Sequence, residues 1–392
     1  MRRIIFTEEF CQPENLFPFT LTRQIQDIRV GILTIREKWE RWLKMESMDK
    51  QEDDYKDLSR SVELKKIGKG DSWFLIHGNI LPDSSLAKAI LALKEGDCLA
   101  TPQGLSIAYH ITHRQLNGPH KISVNKTVSY EKAIKTIEYP WDIVRLNDWA
   151  IREDFRLLTR SRKSAAIPRS VSVTGKQAVF IEKGATVTHA VINATEGPVY
   201  IGKGAVVMEG VLIRGPFAMG DNSCLKMGAR VYGATTIGPS CTVGGEIKNS
   251  VLFGYSNKAH DGYLGDSVIG EWCNMGAGTS NSNIKNSAGP VKVWTRGGEK
   301  VVGNKLGIIM GDYSRTAINT SLNTGTVVGV CANVFGAGLT PTYIPSFSWG
   351  HEGVDRYRWE KVIEDVSRWK ELKGARLEDE DKLILEVVYK KY

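Results

Sequence analysis

Between residues 201 and 248 the sequence keeps a single period: IGKGAV VMEGVL IRGPFA MGDNSC LKMGAR VYGATT IGPSCT VGGEIK, written in sixes. Each six opens on one apolar residue, in turn Ile201, Val207, Ile213, Met219, Leu225, Val231, Ile237 and Val243. An α-helix of about 3.6 residues per turn does not hold one residue in six in phase, and an amphipathic strand alternates every two. A Gly-rich loop repeating by chance would not keep eight openers in register. The period predicts a parallel β-helix of hexapeptides, in which each six is a short strand plus a turn and the opener points into the coil. Gly202, Ala205, Gly233 and Gly238 suit its tight corners, where larger side chains are strained.

The coil is expected from about residue 168. Val179, Ile181 and Val187 are its early apolar positions, and THAVINATEGPVY shifts the register before the clean run. After Val243 the pattern breaks at NSVLFGYSNKAHDG and recovers at Tyr263, Ile269 and Met275. A second break covers 280–305, within which GPVKVWTRGGEKV reads as an excursion from the coil. The period returns at Met310, Thr316, Leu322, Val328 and Val334. Beyond 350, VDRYRWEKVIEDVSRWKEL carries helical spacing (Val354, Tyr357, Trp359, Val362, Val366, Trp369) and predicts a C-terminal helix packed on the coil or on a neighbouring subunit.

Residues 1 to about 160 lack the six-residue period. MRRIIFT and Trp73–Ile76 read as strands. DSSLAKAILALKE (83–95) reads as a helix with Asp83 as N-cap and Leu86, Ile90 and Leu93 on one face. Strand followed by helix suggests a doubly wound α/β unit. The charged run 44–66 is most simply a solvated helix or loop, and 141–163 a helix that closes this domain or links it to the next. A chain of 392 residues exceeds one ordinary core. The expected division is therefore an α/β domain at 1–163, the β-helix at 168–345 and a helical tail at 350–392.

Six dispersed cysteines without a CxxC pair argue against a disulfide frame or a zinc site. The net charge of +8 suits an anionic ligand such as phosphate, nucleotide or coenzyme A. No basic run interleaved with aromatics points to nucleic acid. No stretch is long and apolar enough to span a bilayer, and MRRIIFTEEF lacks a signal-type apolar core, so a cytoplasmic protein is expected.

LFPFTLTRQIQDIRVGILTIREKWE (16–40) resembles the opening of a sugar nucleotidyltransferase, the match lying in Phe17-Pro18-Phe19-Thr20-Leu21-Thr22-Arg23. The Gly-rich loop that would cradle a triphosphate is replaced by FTEEFCQPEN. His77-Gly78-Asn79 stands where such enzymes carry a strand-end aspartate for Mg²⁺, and an amide is a weaker ligand for a hard cation than a carboxylate. The domain is thus an altered uridylyltransferase using UTP and Mg²⁺, a sugar-nucleotide binding module or a scaffold. Arg3, Arg23 and Arg29 are its phosphate-binding candidates.

The segment 246–283, EIKNSVLFGYSNKAHDGYLGDSVIGEWCNMGAGTSNSN, carries the most specific words. Glu246-x-Lys248, Lys258-Ala259-His260, Tyr263-Leu264-Gly265-Asp266, Asn274-Met275-Gly276-Ala277-Gly278-Thr279 and Asn283, with GPFA at 215–218, resemble the acetyltransferase half of the bifunctional UDP-N-acetylglucosamine pyrophosphorylase/glucosamine-1-phosphate N-acetyltransferase family. Amine acetylation from a thioester needs a base for the ammonium proton, a site for the sugar phosphate and donors for the oxyanion, and histidine suits the first task at neutral pH.

The resemblance implies His260 as general base with Glu246 positioning it or the amine. It also implies Arg230, Lys248 and Tyr263 on the phosphate and sugar, and Asn274 and Asn283 on the sugar and acetyl group. The backbone N–H of Ala277 would meet the acetyl oxygen. Without the resemblance each of these reads as a surface or turn residue. Acetyl-coenzyme A would lie along 302–336, and Ile284 stands where the family has a tyrosine. The resemblance further implies that the β-helix is left-handed and that the chain forms a homotrimer with sites between subunits.

Three readings follow. The first is an acetyl-CoA-dependent N-acetyltransferase on an amino-sugar 1-phosphate, glucosamine-1-phosphate foremost, feeding UDP-N-acetylglucosamine synthesis. The second adds sugar-1-phosphate uridylyl transfer in residues 1–160, or makes nucleotidyl transfer the main activity. The third is a non-catalytic sugar-nucleotide-binding or assembly protein. A carbonic anhydrase of the same architecture is set aside, because His189 and His260 alone fall in the coil, at unsuitable spacing for one metal.

Overall fold

The computed structural model describes residues 2–8, 11–48, 70–116 and 122–392. Most of the charged run expected at 44–66 (49–66) and two residues of the FTEEFCQPEN replacement, Glu9 and Phe10, lie outside the described residues. The chain forms two compact units: residues 1–13, 23–28 and 33–138, and residues 14–22, 29–32 and 139–392.

The first unit is built on a five-stranded sheet. Arg2–Thr7 pairs parallel with Ser72–His77, which pairs antiparallel with Ser106–Thr112, then Asp97–Ala100, with Lys126–Ser129 parallel at the edge. Ile5, Trp73, Leu75 and Ile111 form one core cluster on it. Helix α1 (Ile35–Leu43) opens on a Thr34/Glu37 capping box and buries Trp39, whose indole donates to the Ile80 carbonyl at 2.9 Å. Helix α2 (Ser84–Leu91) is capped by Asp83, which accepts from the backbone N–H groups of Ser85 and Leu86. The sheet is mixed rather than doubly wound. Residues 101–105 return the chain from one strand to the next as a tight hairpin, too short for a parallel crossover.

In the second unit the hexapeptide register appears as read. Ile201, Val207, Ile213, Met219, Leu225, Val231, Ile237 and Val243 are all at most 3% exposed, inside one continuous coil interior. Each such side chain adds about 1.5–3 kcal/mol of burial. Each full turn lays one strand on each of three parallel sheets, as with Val199–Ile201, Val206–Val207 and Leu212–Arg214. We call these the first, second and third faces. Successive coils are hydrogen-bonded as ladders, for example Val206 N to Ser223 O and Cys224 N to Cys241 O, both 2.8 Å. Corners take left-handed backbone at Gly210, Asn222, Gly228 and Ser240.

Two details of the register differ from the sequence reading. The stretch 249–262 is no break: it supplies Val251–Gly254 and Asn257–Lys258 to the first and second faces. Interior positions there run Val243, Ile247, Leu252, Lys258, so shortened corners alter the spacing while the coil continues. The next interior residue on the third face is Leu264, fully buried, and Tyr263 points outward. The excursion at 280–305 contains an antiparallel hairpin, Lys292–Val293 with Lys300–Val301, as expected of a departure from the coil.

Helix α3 (Pro140–Thr159) groups by its contacts with the coil unit. Asn147 explains this. Fully buried, it accepts from Gly31 N (2.8 Å) and Thr236 Oγ1 (3.0 Å) and donates to Ala234 O (2.7 Å). Asp154 accepts from Ile32 N at 2.8 Å. Helices α4 (Trp359–Glu371) and α5 (Asp379–Lys391) form the C-terminal tail. Helix α4 starts five residues after Val354, which is exposed. Among the described residues no helix is long and apolar enough to cross a membrane.

Candidate functional site

Three neighbouring strands of the third face, Arg230–Tyr232, Glu246–Lys248 and Tyr263–Gly265, are in register. Their middle residues Val231, Ile247 and Leu264 point inward and are buried, so the flanking residues form two outward rows. One row is Arg230, Glu246, Tyr263; the other is Tyr232, Lys248, Gly265. The structure therefore brings four of the predicted residues onto one patch.

Arg230 and Glu246 approach to 3.9 Å across an exposed surface, a weak pair that leaves the guanidinium available. Tyr232 donates to Glu246 Oε1 at 2.7 Å, and that hydrogen bond is the main reason its phenol titrates above the ordinary range. The Lys248 ammonium sits 5.9 Å over the Tyr232 ring. Tyr232 escaped the sequence reading, yet its place two residues after Arg230 on an alternating strand was the available signal.

Tyr263 lies across its own strand, its ring occupying the space above Gly265. Its hydroxyl receives a hydrogen bond from Asn283 Nδ2 at 3.1 Å. Burial, then the Asp266 carboxylate, pushes the phenol pKa up. Asp266 also binds the Asn283 amide and accepts from Asn249 Nδ2 at 2.6 Å, which fixes both asparagines. Asp266 and Asn249 are further residues that the sequence reading left without a role.

His260 sits at the corner where the second face passes into the third, between Asn257–Lys258 and Tyr263–Gly265, and is exposed. In the next coil the same corner is Gly276–Thr279, and Gly278 N donates to Asp261 O at 3.0 Å. The Ala277 carbonyl accepts from Asn319 N at 2.7 Å, while among the described hydrogen bonds its N–H makes none. This half-buried N–H stands one coil from the exposed imidazole. Asn274 points outward from the second face, across that corner from Tyr263, with Asn257 Nδ2 at 3.4 Å from its Oδ1. The predicted residues thus divide between two faces that meet at the His260 corner. Ile284 is exposed, and its carbonyl accepts from the hydroxyls of Ser282 and Thr324.

The N-terminal candidates fare differently. Arg29 spends its guanidinium on the carbonyls of Phe253 (2.9 Å) and Ile32, so it is a packing residue rather than a phosphate ligand. Phe19, Thr20 and Leu21 of the 17–23 motif are buried, Phe19 packing on Phe253 at 4.8 Å. His77 ends its strand as expected, but burial lowers its pKa to about 4, so it is neutral at pH 7. Glu8, the nearby carboxylate, accepts from Ile25 N at 2.7 Å. Among the described residues no group of three or more His, Cys, Asp or Glu is placed to hold a metal. Mg²⁺ takes oxygen ligands, and the described carboxylate next to this strand end, Glu8, accepts from a backbone N–H.

An α/β unit of nucleotidyltransferase type followed by a hexapeptide β-helix defines the class. Residues 4–163 match the family described as sugar nucleotidyl transferase. The bifunctional sugar-1-phosphate nucleotidylyltransferase/acetyltransferase of Sulfurisphaera tokodaii is 33% identical over 211 residues, 54% of this chain and 47% of that one. The bifunctional protein GlmU of Methanococcus maripaludis strain S2 is 33% identical over 193 residues, 49% of this chain and 41% of that one. That of Methanocaldococcus jannaschii is 39% identical over 84 residues, 21% of each. The chain spans about half the length, or less, of these curated relatives. Over these stretches the chain is similar to bifunctional nucleotidylyltransferase/acetyltransferases. Among solved structures, the polySia-specific acetyltransferase NeuO aligns with a TM-score of 0.28 at 14% identity, over 52% of this chain and 96% of that one.

Proposed function

We propose that the chain is an acetyl-CoA-dependent N-acetyltransferase acting on an amino-sugar 1-phosphate, glucosamine-1-phosphate being the first candidate, in the route to UDP-N-acetylglucosamine. One observation carries the proposal: the exposed His260 corner lies beside the unengaged Ala277 N–H and next to the outward row of Arg230, Glu246 and Tyr263. His260 takes the proton of the attacking amine as the new N–C bond forms. The thioester C–S bond then breaks and the sulfur leaves as thiolate, which picks up a proton. Ala277 N–H holds the negative charge that collects on the carbonyl oxygen in between. Arg230 and Lys248 grip the sugar's phosphate, and Tyr263, Asn274 and Asn283 hold the ring and acetyl group. Acetyl-CoA supplies the activated acetyl group, lying along residues 302–336.

Exposed Val191 and Leu212 on the third face, with Met227 and Ile318 at corners, favour a homotrimer with this patch between subunits. The test is thiol release from acetyl-CoA against a panel of amino-sugar 1-phosphates; no release with any of them would remove the reading and leave a binding or assembly protein. A second reading is favoured by the family match at 4–163: sugar-1-phosphate uridylyl transfer in the α/β unit. Incubation with UTP, Mg²⁺ and N-acetylglucosamine-1-phosphate releases pyrophosphate if it holds, and none if the unit is a scaffold.

A further inference from the structure

The interior column beneath the second face runs Val207, Leu225, Val243, Lys258, Met275, Thr316, Val334. Lysine replaces an aliphatic opener at one level, and it is fully buried there. Desolvation disfavours an ammonium inside a coil, and burial lowers the Lys258 pKa to about 8 with only Asp261 opposing. A valine or methionine would pack without that cost, so packing does not account for the lysine.

What the ammonium touches does. Its Nζ donates to the carbonyls of His260 and of Asp261, the latter at 3.2 Å. Among the described hydrogen bonds, the one from Lys258 is the only one to the backbone of His260. The imidazole stands on an exposed corner, and Gly262 two residues later has φ +124°, a conformation that favours glycine. One coil earlier the corner is shortened to Gly244-Gly245. A Cβ on Gly245 would come within 2.8 Å of both His260 O and Gly262 O, and its φ is +74°. The corner therefore rests on two glycines of the coil before it and is bonded to neighbouring coils through Asp261 O (from Gly278 N) and Gly262 O (from Glu246 N), while the His260 carbonyl itself is held from inside the coil by the ammonium.

We propose that Lys258 is a positioning residue for the acetyl-transfer site: its buried ammonium fixes the His260 corner so that the imidazole is held for proton transfer. The inference rests on the acetyltransferase reading and names no contact between Lys258 and substrate. Misplacing a base by about an ångström costs roughly 10- to 100-fold in rate with substrate contacts intact.

The test is Lys258→Met in the full chain, which keeps length and apolar stem. Expected are a kcat lowered roughly 10-fold or more, with KM for both substrates within about three-fold. Amide hydrogen exchange across 259–263 should quicken about 10-fold while strands 246–248 and 274–275 keep their protection. A general loss of structure would move KM and the protection of every strand together. If Lys258→Met does not fold, Gly245→Ala presses on the same corner from the coil before it, and should likewise lower kcat and leave KM. Wild-type kcat with unchanged exchange at 259–263 overturns the inference while the function stands. A wild-type protein without acetyl transfer removes the proposed function, and the exchange measurement then decides alone whether Lys258 ties the corner.

Discussion

Gly265→Ala offers a selective probe of the outward rows. A Cβ at this position would fall within 2.6 Å of the Tyr263 ring, where carbon atoms need about 3.5 Å or more. Gly265 is not at positive φ, and the atoms it would meet are the free end of one side chain, so the ring yields and the backbone does not. A shift of about 1 Å takes the Tyr263 hydroxyl away from Asn283, now at 3.1 Å. One neutral hydrogen bond is worth about 1 kcal/mol, and displacement of a substrate contact adds to it, giving roughly a 10-fold fall in kcat/KM for the sugar phosphate. Global stability should change by less than about 1 kcal/mol. Tyr263→Phe removes the same hydroxyl without moving the ring and should cost about 5- to 10-fold. The double variant should then cost little more than the worse single one, a coupling near 1 kcal/mol in the cycle. Steady-state thiol-release kinetics with urea melts of all four proteins give both quantities. Wild-type kcat/KM in Gly265→Ala, or full additivity in the cycle, would refute the placement of Tyr263 in the acceptor site.

Other outcomes follow from buried polar groups. Asn147→Leu strips hydrogen bonds from Gly31 N, Ala234 O and Thr236 Oγ1 at once and should destabilise the coil unit by about 3–5 kcal/mol. A drop of about 10 °C in Tm is expected, and a change under about 2 °C would contradict it. His77 takes up its proton near pH 6.5 unfolded but near 4 folded. Its share of stability is whole above the first value and falls away toward the second, by up to about 3 kcal/mol, and His77→Phe should flatten that slope in urea melts at pH 7 and 4.5. For Lys258 the ordinary value of 10.5 drops to about 8 in the fold, so the unfolded chain holds the extra proton between them. Stability should therefore rise from pH 8 toward 10.5 and lose that rise in Lys258→Met; an identical profile in both proteins would show the ammonium is not desolvated. Light scattering should find three copies per particle, and a monomer at assay concentration would contradict the seam.

The coil was legible because its interior accepts one side chain per six and the chain obeys that at every opener from Ile201 to Val243. Legibility failed where corners shorten: between Val243 and Leu264 the interior positions fall at irregular spacing, and one is a lysine, so periodicity placed Tyr263 inward when Leu264 is the buried residue. The outward rows were half visible. Arg230, Glu246, Lys248 and Tyr263 were named from motif words, but Tyr232 and Asp266 act through hydrogen bonds between coils, which linear spacing does not display. In the first unit the expected strands and the Asp83 cap hold, because caps and alternation are local. The assignment of 14–22, 29–32 and helix α3 to the coil unit depends on single buried groups such as Asn147 and Asp154, whose partners lie 87 to 122 positions away in the chain.

The most direct test of acetyl transfer at His260 is the initial rate of thiol release from acetyl-CoA with glucosamine-1-phosphate, measured for the wild-type protein and for a folded His260→Ala variant. Turnover is expected in the first and a loss of roughly 100- to 10,000-fold in the second. A His260→Ala protein that melts like the wild type and keeps its rate would contradict it.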